Sequence, residues 1–390
     1  MIDLTRGARE LELAERVRRF VHDEVIPYET DPRVERHGPN DDLRREMQAK
    51  ARTAGLLAFH LDPEYGGQGL SHREMATVFR EAGYSLLGAT ALNCMAPDEG
   101  NMFLLGKAGT PAQKERYLRR MASGEIRSAF FMTEPDGGAG SDPSMLATTA
   151  TPDGDGWVIN GRKWLITGAD GAGVGLVMAK TEGGATLFLT PLPHPGVRTE
   201  RVLDTIDRTM PGGHGVMTLE NVRVTKDDIL GELDQGFRYA QIRLAPARLT
   251  HCMRWWGAAK RAHDIACDYA RTRLAFGKTL IEHEGVGFML AENEIALKQA
   301  ELMIDWCAYV LDQGARGTEE SSMAKVAVSE ALFGIADRCV QVLGGMGVTD
   351  DTPVHQIFRD IRAFRIYDGP TEVHKWSIAN RIRKRPRVFG

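Results

Sequence analysis

The chain has little that would tie it to a membrane, an oxidising compartment or a nucleic acid. No stretch reaches the roughly 18 uninterrupted apolar residues that a bilayer span needs, and the opening Met1-Ile2-Asp3-Leu4-Thr5-Arg6 lacks the apolar core of a secretory signal. A soluble, cytoplasmic protein is therefore expected, with no membrane partner. Cysteine is scarce and scattered. Cys94, Cys252, Cys267, Cys307 and Cys339 are odd in number and contain no C-x-x-C pair, so they read as reduced core thiols rather than a disulfide framework. A formal net charge of -4 provides no basic field for nucleic acid, and the one basic run, Arg381-Ile382-Arg383-Lys384-Arg385, reads as a solvated tail. The histidines show no paired ligand spacing, so no metal is expected. No G-x-G-x-x-G opens a helix after a strand and no G-x-S-x-G elbow occurs, which argues against a Rossmann dinucleotide site and a serine-hydrolase nucleophile.

What is present is enough apolar sequence, 43% of 390 residues, for two to three domains with ample cores. From Glu10 the apolar residues Leu13, Val17, Phe20, Val21 and Val25 fall on one helical face, and the pattern stops near Pro27. A second helix follows Pro39-Asn40-Asp41, and Leu61 to Gly69 is too rich in glycine to be anything but a loop. Ser71 with Glu74, and Thr110 with Gln113 behind Pro111, form capping boxes. Beyond Ser128 the period changes to two, with strands expected around Trp157–Ile159, Val174–Met178, Ala185–Leu189 and Gly215–Leu219 and a hairpin turn at Asn160-Gly161. From Gly236 helices return. One is marked by Ile295, Leu297, Ala300, Leu302, Met303, Trp306 and Val310, and another by Val326, Leu332, Ile335, Cys339 and Val342, closed by Gly344-Gly345. The domains expected are 1–127 helical, 128–235 strand-rich and 236–390 helical, an α+β chain.

The loop Phe130-Phe131-Met132-Thr133-Glu134-Pro135-Asp136-Gly137-Gly138-Ala139-Gly140-Ser141-Asp142 ends an apolar strand in a Pro turn and three glycines, which leaves main-chain N–H groups open to an anionic or carbonyl oxygen. The same composition also makes ordinary surface turns. This loop, together with Asn160-Gly161-Arg162-Lys163-Trp164-Leu165-Ile166-Thr167, Arg273-Leu274-Ala275-Phe276-Gly277-Lys278 and Gln341-Val342-Leu343-Gly344-Gly345-Met346-Gly347, resembles four segments of the flavin-dependent acyl-CoA dehydrogenase family in the family's own order. The likeness covers nearly the whole chain. It implies a helical N-terminal domain, a central β-barrel-like domain and a C-terminal helical bundle. It also implies FAD held in extended form between the strand domain and the C-terminal helices, with a neighbouring subunit closing the adenine end in a homodimer or homotetramer. By the resemblance, Met132, Thr133 and Thr167 would bond the flavin ring, Ser141 the pyrophosphate or the CoA side, and Arg273, Phe276, Gln341 and Gly345 the rest of FAD. The resemblance also places Phe131, Gly140, Trp164, Ile166, Gly344, Gly369, Thr371 and Glu372 at the cofactor, and Ser141, Arg248 and Gly369 at the substrate.

Ile366-Tyr367-Asp368-Gly369-Pro370-Thr371-Glu372 stands where the family usually has Tyr-Glu-Gly-Thr, which makes Asp368 the catalytic base that the resemblance implies. Taken alone, Asp-Gly-Pro is a turn. The chain resembles a branch of the family with Asp-Gly-Pro at this place, together with the loops Asn93–Asp98 and Pro211–Gly215 and the run Arg248 followed by His251-Cys252-Met253-Arg254. It departs from the common pattern by two extra residues in the Thr-Glu-Pro loop, by Leu165 where a flavin-stacking Trp is usual, and by Pro370 for a Thr. The expected activity is α,β-dehydrogenation of an acyl-CoA in fatty acid metabolism, with electrons passing to an electron-transfer flavoprotein. An oxygen-using flavin enzyme and a non-catalytic acyl-CoA-binding protein remain the alternatives.

Overall fold

The computed structural model describes residues 5–385. They form two compact units, each threaded more than once by the chain: Asp23–Leu70 with Ala89–Ala247, and 5–22 with Ser71–Gly88 and 248–385.

The first unit is built on seven strands: β1 (Arg127–Phe131), β2 (Thr149–Asp153), β3 (Gly156–Thr167), β4 (Ala172–Lys180), β5 (Ala185–Pro191), β6 (Val197–Val202) and β7 (His214–Val224). They pair in the order β1-β4-β2-β3-β7-β6, with β5 on β4. That path is open. The barrel-like domain implied by the resemblance is, among the described residues, a sheet that does not close. β1 runs parallel to β4, and β4 is buried along nearly its whole length, which explains why Val174–Met178 reads as a continuous apolar run rather than an alternating one. Ala129, Phe131, Ile159, Ile166, Phe188 and Met217 form the heart of its core.

Asn160-Gly161 is not the hairpin turn that its composition suggests. It lies inside β3, where the register against β7 shifts between Ile159 and Gly161, and the Asn160 Oδ1 accepts the Asn221 N–H at 2.8 Å. The tolerance that suits these residues to a turn suits them equally to a bulge. Gly161 also passes close to Thr148, whose Cα lies 2.8 Å from where a Cβ would sit. The real hairpin is two residues wide: Asp153 pairs with Gly156, and Gly154 carries φ +63.

The second unit is helical. α1 (Ala8–Phe20) and α2 (His72–Ala82) pack with the part of α3 (Gly236–Thr272) from Arg248 onward, and with α4 (Glu284–Asp312), α5 (Thr318–Leu343), α6 (Val354–Phe364) and α7 (Thr371–Lys384). The capping box at Ser71 and Glu74 is formed, and Gly344 at φ +59 ends α5, both as the sequence indicates. α2 and α3 cross on glycines: a Cβ on Gly83 would lie 2.0 Å from the Arg254 carbonyl oxygen, and one on Gly257 would lie 2.1 Å from that of Arg80. This close approach buries the α3 face that carries Arg248, His251 and Arg254. Of the apolar residues that mark α4 in the sequence, Ile295 and Leu302 are exposed, whereas Leu297 and Ala300 are buried. All five cysteines are free thiols, four of them buried and Cys267 half-buried. Among the described residues, no helix is long and apolar enough to cross a membrane.

Candidate functional site

In the sheet unit, the Thr-Glu-Pro loop is fixed by a buried ion pair. Glu134 turns inward and accepts the main-chain N–H groups of Ala139, Ala147 and Thr148 at 3.2, 2.6 and 2.9 Å. Lys163, fully buried on β3, donates to Glu134 Oε1 at 2.8 Å and to the carbonyls of Met132 and Met178 at 3.2 and 2.7 Å. Burial pushes the Lys163 ammonium down to about 8 against the pull of Glu134. Glu134 resists its own burial and is held at about 2 by Lys163 and its hydrogen bonds. One carboxylate thus organises the turn from residue 133 to 148, and the Trp164 N–H, bonded to the Thr133 carbonyl at 2.9 Å, ties that turn to β3.

The loop leaves its far side open. Gly140 and Ser141 are exposed, and a Cβ on Gly137 or Gly140 would meet nothing within 4 Å. Met132 and Thr133 are half-buried. The side chains of Phe131 and Ile166 belong to the sheet core, so only their main-chain atoms remain for a ligand. Trp164 and Leu165 occupy a second bulge of β3, where the register shifts between Lys163 and Ile166 and Leu165 adopts φ +54; both side chains stay more than a third exposed.

Thr167 ends β3 opposite His214 on β7. Its Oγ1 lies 2.9 Å from His214 Nδ1, and His214 Nε2 lies 2.9 Å from Asp207 Oδ2. Burial works against the Asp207 charge, but His214 outweighs it and keeps the carboxyl below its ordinary range. An ionised Asp207 claims the Nε2 proton, which leaves Nδ1 to accept from the Thr167 hydroxyl. Arg127 holds this corner by donating to the carbonyls of Gly168 and Pro211 at 2.9 and 3.2 Å.

In the helical unit, Asp368 sits between α6 and α7 at φ +54 and is followed by Gly369 at φ +103. Only glycine fits there, since a Cβ on Gly369 would come within 2.5 Å of His374 Nε2. Pro370 precedes the first turn of α7. Arg248 Nε donates to the Asp368 carbonyl at 2.9 Å, His374 Nε2 to the same oxygen at 3.2 Å, and Lys325 Nζ to the Gly369 carbonyl at 2.8 Å. Burial lowers Lys325 to about 8 against the pull of Asp368. Burial, with Arg248 nearby, lowers His374 to about 4. The Asp368 side chain meets His251, with Oδ2 3.4 Å from Nε2. Thr371 is buried and its hydroxyl donates to Glu330 at 2.6 Å, while Glu372 is exposed on the first turn of α7.

The remaining expected cofactor residues lie on the surface of this unit. Arg273 is exposed, and Phe276, at the tip of a two-residue hairpin, is 97% exposed with φ +51. Gln341, Gly344 and Gly345 are exposed at the end of α5, with open space where a Cβ would stand on either glycine. Sequence reasoning did not assign roles to Glu134, Lys163, His214, Asp207, His251, Lys325 or His374. His214 and His251 stood within segments already singled out, but their partners are set by tertiary packing.

The three domain matches settle the family. Residues 8–125 match the acyl-CoA dehydrogenase N-terminal domain, 129–222 the middle domain and 234–383 the C-terminal domain. The chain belongs to the acyl-CoA dehydrogenase family. It is 36% identical to "Probable acyl-CoA dehydrogenase FadE2" of Mycobacterium tuberculosis, over 97% of this chain and 96% of that protein. A solved structure from Mycobacterium abscessus, assigned to the acyl-CoA dehydrogenases, superimposes with a TM-score of 0.90 at 37% identity, covering 97% of this chain and 99% of the other. A glutaryl-CoA dehydrogenase from Mycobacterium smegmatis in complex with FADH2 gives a TM-score of 0.88 at 25% identity, over 98% and 96%. The chain spans half the length of relatives such as acyl-CoA dehydrogenase family member 11 of Gallus gallus. Membership places it among oxidoreductases that act on CH–CH bonds.

Proposed function

We propose that this protein is an FAD-dependent dehydrogenase of an acyl-CoA thioester and that Asp368 is its base. The observation that carries the proposal is the way residue 368 is held: two donors bond its main-chain carbonyl, a third bonds that of Gly369, and its carboxylate lies 3.4 Å from the buried His251. Removal of a proton α to a thioester needs a carboxylate fixed in place. Asp368 takes the α-proton as the β-carbon gives up a hydride, which leaves a trans-enoyl thioester. FAD, when bound, supplies the two-electron acceptor.

The residues present suit that cofactor. The open face of the Gly137–Ser141 loop offers main-chain N–H groups, Thr133 and Thr167 carry hydroxyls near the ends of β1 and β3, and Trp164 is exposed beside Leu165. Leu165 therefore gives no reason to infer a lost flavin site. Arg273, Phe276, Gln341 and Gly345 are exposed on the helical unit and are assigned to the FAD of a second copy, which makes the active form a homo-oligomer. The exposed apolar side chains of Leu274, Phe288, Val348 and Trp376 on the same unit suit burial against that copy. Arg248 supports the base through its main chain, and an electron-transfer flavoprotein is the expected electron acceptor.

Anaerobic titration with acyl-CoAs of increasing chain length tests the reading. At least one thioester should bleach the yellow flavin absorbance. A protein that purifies without flavin, or one whose flavin no thioester bleaches, contradicts it.

A further inference from the structure

On the reading that places Thr167 at the flavin ring, we infer that Asp207 and His214 are positioning residues for its hydroxyl: they turn the hydroxyl proton inward, so that Thr167 meets the flavin as a hydrogen-bond acceptor and favours the reduced ring. Thr167 and His214 are cross-strand partners where β3 ends and β7 begins, which sets their side chains on one face of the sheet. Main-chain bonds fix the histidine on both sides. The Gly168 N–H donates to the Gly213 carbonyl at 2.8 Å, and the His214 carbonyl accepts the Leu203 N–H at 2.9 Å. Gly212 and Gly213, at φ +79 and +57, sit in the turn that the Gly213 N–H closes on the Met210 carbonyl at 2.8 Å, and this turn brings Asp207 back against the ring.

The three side chains form a directed chain. Asp207 and His214 are buried, and each ring nitrogen has one hydrogen-bond partner among the described residues: Asp207 Oδ2 at Nε2 and Thr167 Oγ1 at Nδ1, both at 2.9 Å. A carboxylate only accepts, so it takes the Nε2 proton of the neutral imidazole, and the bare Nδ1 takes the proton of the hydroxyl. A threonine whose proton is committed in this way has only lone pairs to offer a ligand. Two-electron reduction turns a bare nitrogen of the flavin ring into an N–H donor. An acceptor hydroxyl bonds that reduced form and faces a lone pair in the oxidised one, so the Asp207–His214 pair raises the midpoint potential of the bound FAD.

The test measures that potential in the FAD-loaded protein. Asp207→Asn keeps the size of the side chain but offers Nε2 an amide N–H, which moves the ring proton to Nδ1 and turns the Thr167 hydroxyl outward as a donor. At a fixed potential its ratio of reduced to oxidised flavin should drop about tenfold, a shift of about 30 mV for a two-electron couple, with FAD content at the wild-type level. His214→Phe, which frees the hydroxyl to turn, should shift in the same direction. Thr167→Val should lower the potential as well, and Asp207→Asn should add nothing in the Thr167→Val background, which a merely structural role for the pair would not predict. Nitrogen NMR of histidine-labelled wild-type protein reads the tautomer even where a variant fails to fold: a bare Nδ1 and a protonated Nε2 are expected at His214. A proton on Nδ1, in a neutral or a charged ring, overturns the inference. So does an unchanged potential in Asp207→Asn, or an equal shift with and without the Thr167 hydroxyl, while a shift in Thr167→Val still leaves Thr167 at the flavin. If Thr167→Val itself keeps the wild-type potential, the placement of Thr167 falls and this inference falls with it.

Discussion

Two turns in this molecule are written with the same residue types and built in opposite ways. Glu134-Pro135-Asp136-Gly137 and Asp368-Gly369-Pro370 each put an acid next to a proline and a glycine, and each has a buried lysine bonded to it, Lys163 and Lys325. At Glu134 the carboxylate is the hub, taking three main-chain N–H groups and the Lys163 ammonium. At Asp368 the cations bond main-chain carbonyls. A carboxylate saturated with donors has its charge stabilised so fully that it is a poor base, and its pKa of about 2 expresses this. The first acid is anchored through its carboxylate, and the second has its main-chain carbonyl held by Arg248 and His374.

The sharpest way to break the contrast is to remove one cation from each turn. Lys163→Met strands the Glu134 charge in the sheet core and should cost about 3–5 kcal/mol of unfolding free energy in denaturant titration, with loss of bound flavin. Lys325→Met removes a donor from a carbonyl and should cost about 1–3 kcal/mol. Equal losses would mean that the two turns are held in the same way. A smaller change is expected from Arg248→Ala: turnover should fall about tenfold, the direction given by loss of the bond to the Asp368 carbonyl, while flavin content stays at wild-type level. Unaltered turnover would reduce Arg248 to a buried structural charge.

The FAD itself should depend on the oligomer. Dilution to monomers should release flavin, because Arg273, Phe276 and Gln341 are exposed on their own subunit. A monomer that retained full occupancy would refute the shared site.

The mildest test is of pH. His374 is lowered to about 4 from an ordinary 6.5, so on acidification the unfolded chain takes up that proton first, and stability present above 6.5 is lost toward 4. Glu134, at about 2 against an ordinary 4.5, acts in a lower window: its stability is present above 4.5 and is lost toward 2. His374→Asn should flatten the upper part of the stability curve and leave the lower part in place. A curve that keeps its upper slope would mean that His374 is not buried in neutral form.

Local chemistry was readable where it acts locally. The capping boxes at Ser71 and Thr110 and the positive-φ glycine at 344 satisfy main-chain groups within a few residues, and they stand where the pattern puts them. The apolar period found the helix that carries Ile295 and Leu302 but not that these two residues are exposed, because it marks a helix and not which side of it is covered. Asn160-Gly161 misled because a bulge and a turn want the same residues, and the β7 strand that makes it a bulge lies far along the chain. The site divided in the same way. Asp368 could be named from its segment, but Lys163 is 29 residues from Glu134, and Lys325 and Arg248 are 44 and 120 residues from the carbonyls they hold. No spacing rule reaches across such distances.

The proposed reaction turns on whether Asp368 is the acid that works. In anaerobic stopped-flow reduction by a saturating acyl-CoA, Asp368→Asn keeps size and hydrogen bonding but cannot accept the α-proton. It should therefore stay yellow, bind the thioester and reduce its flavin ~10²–10⁴-fold more slowly than wild type. An Asp368→Asn protein that bleaches as fast as wild type would make residue 368 a turn and nothing more.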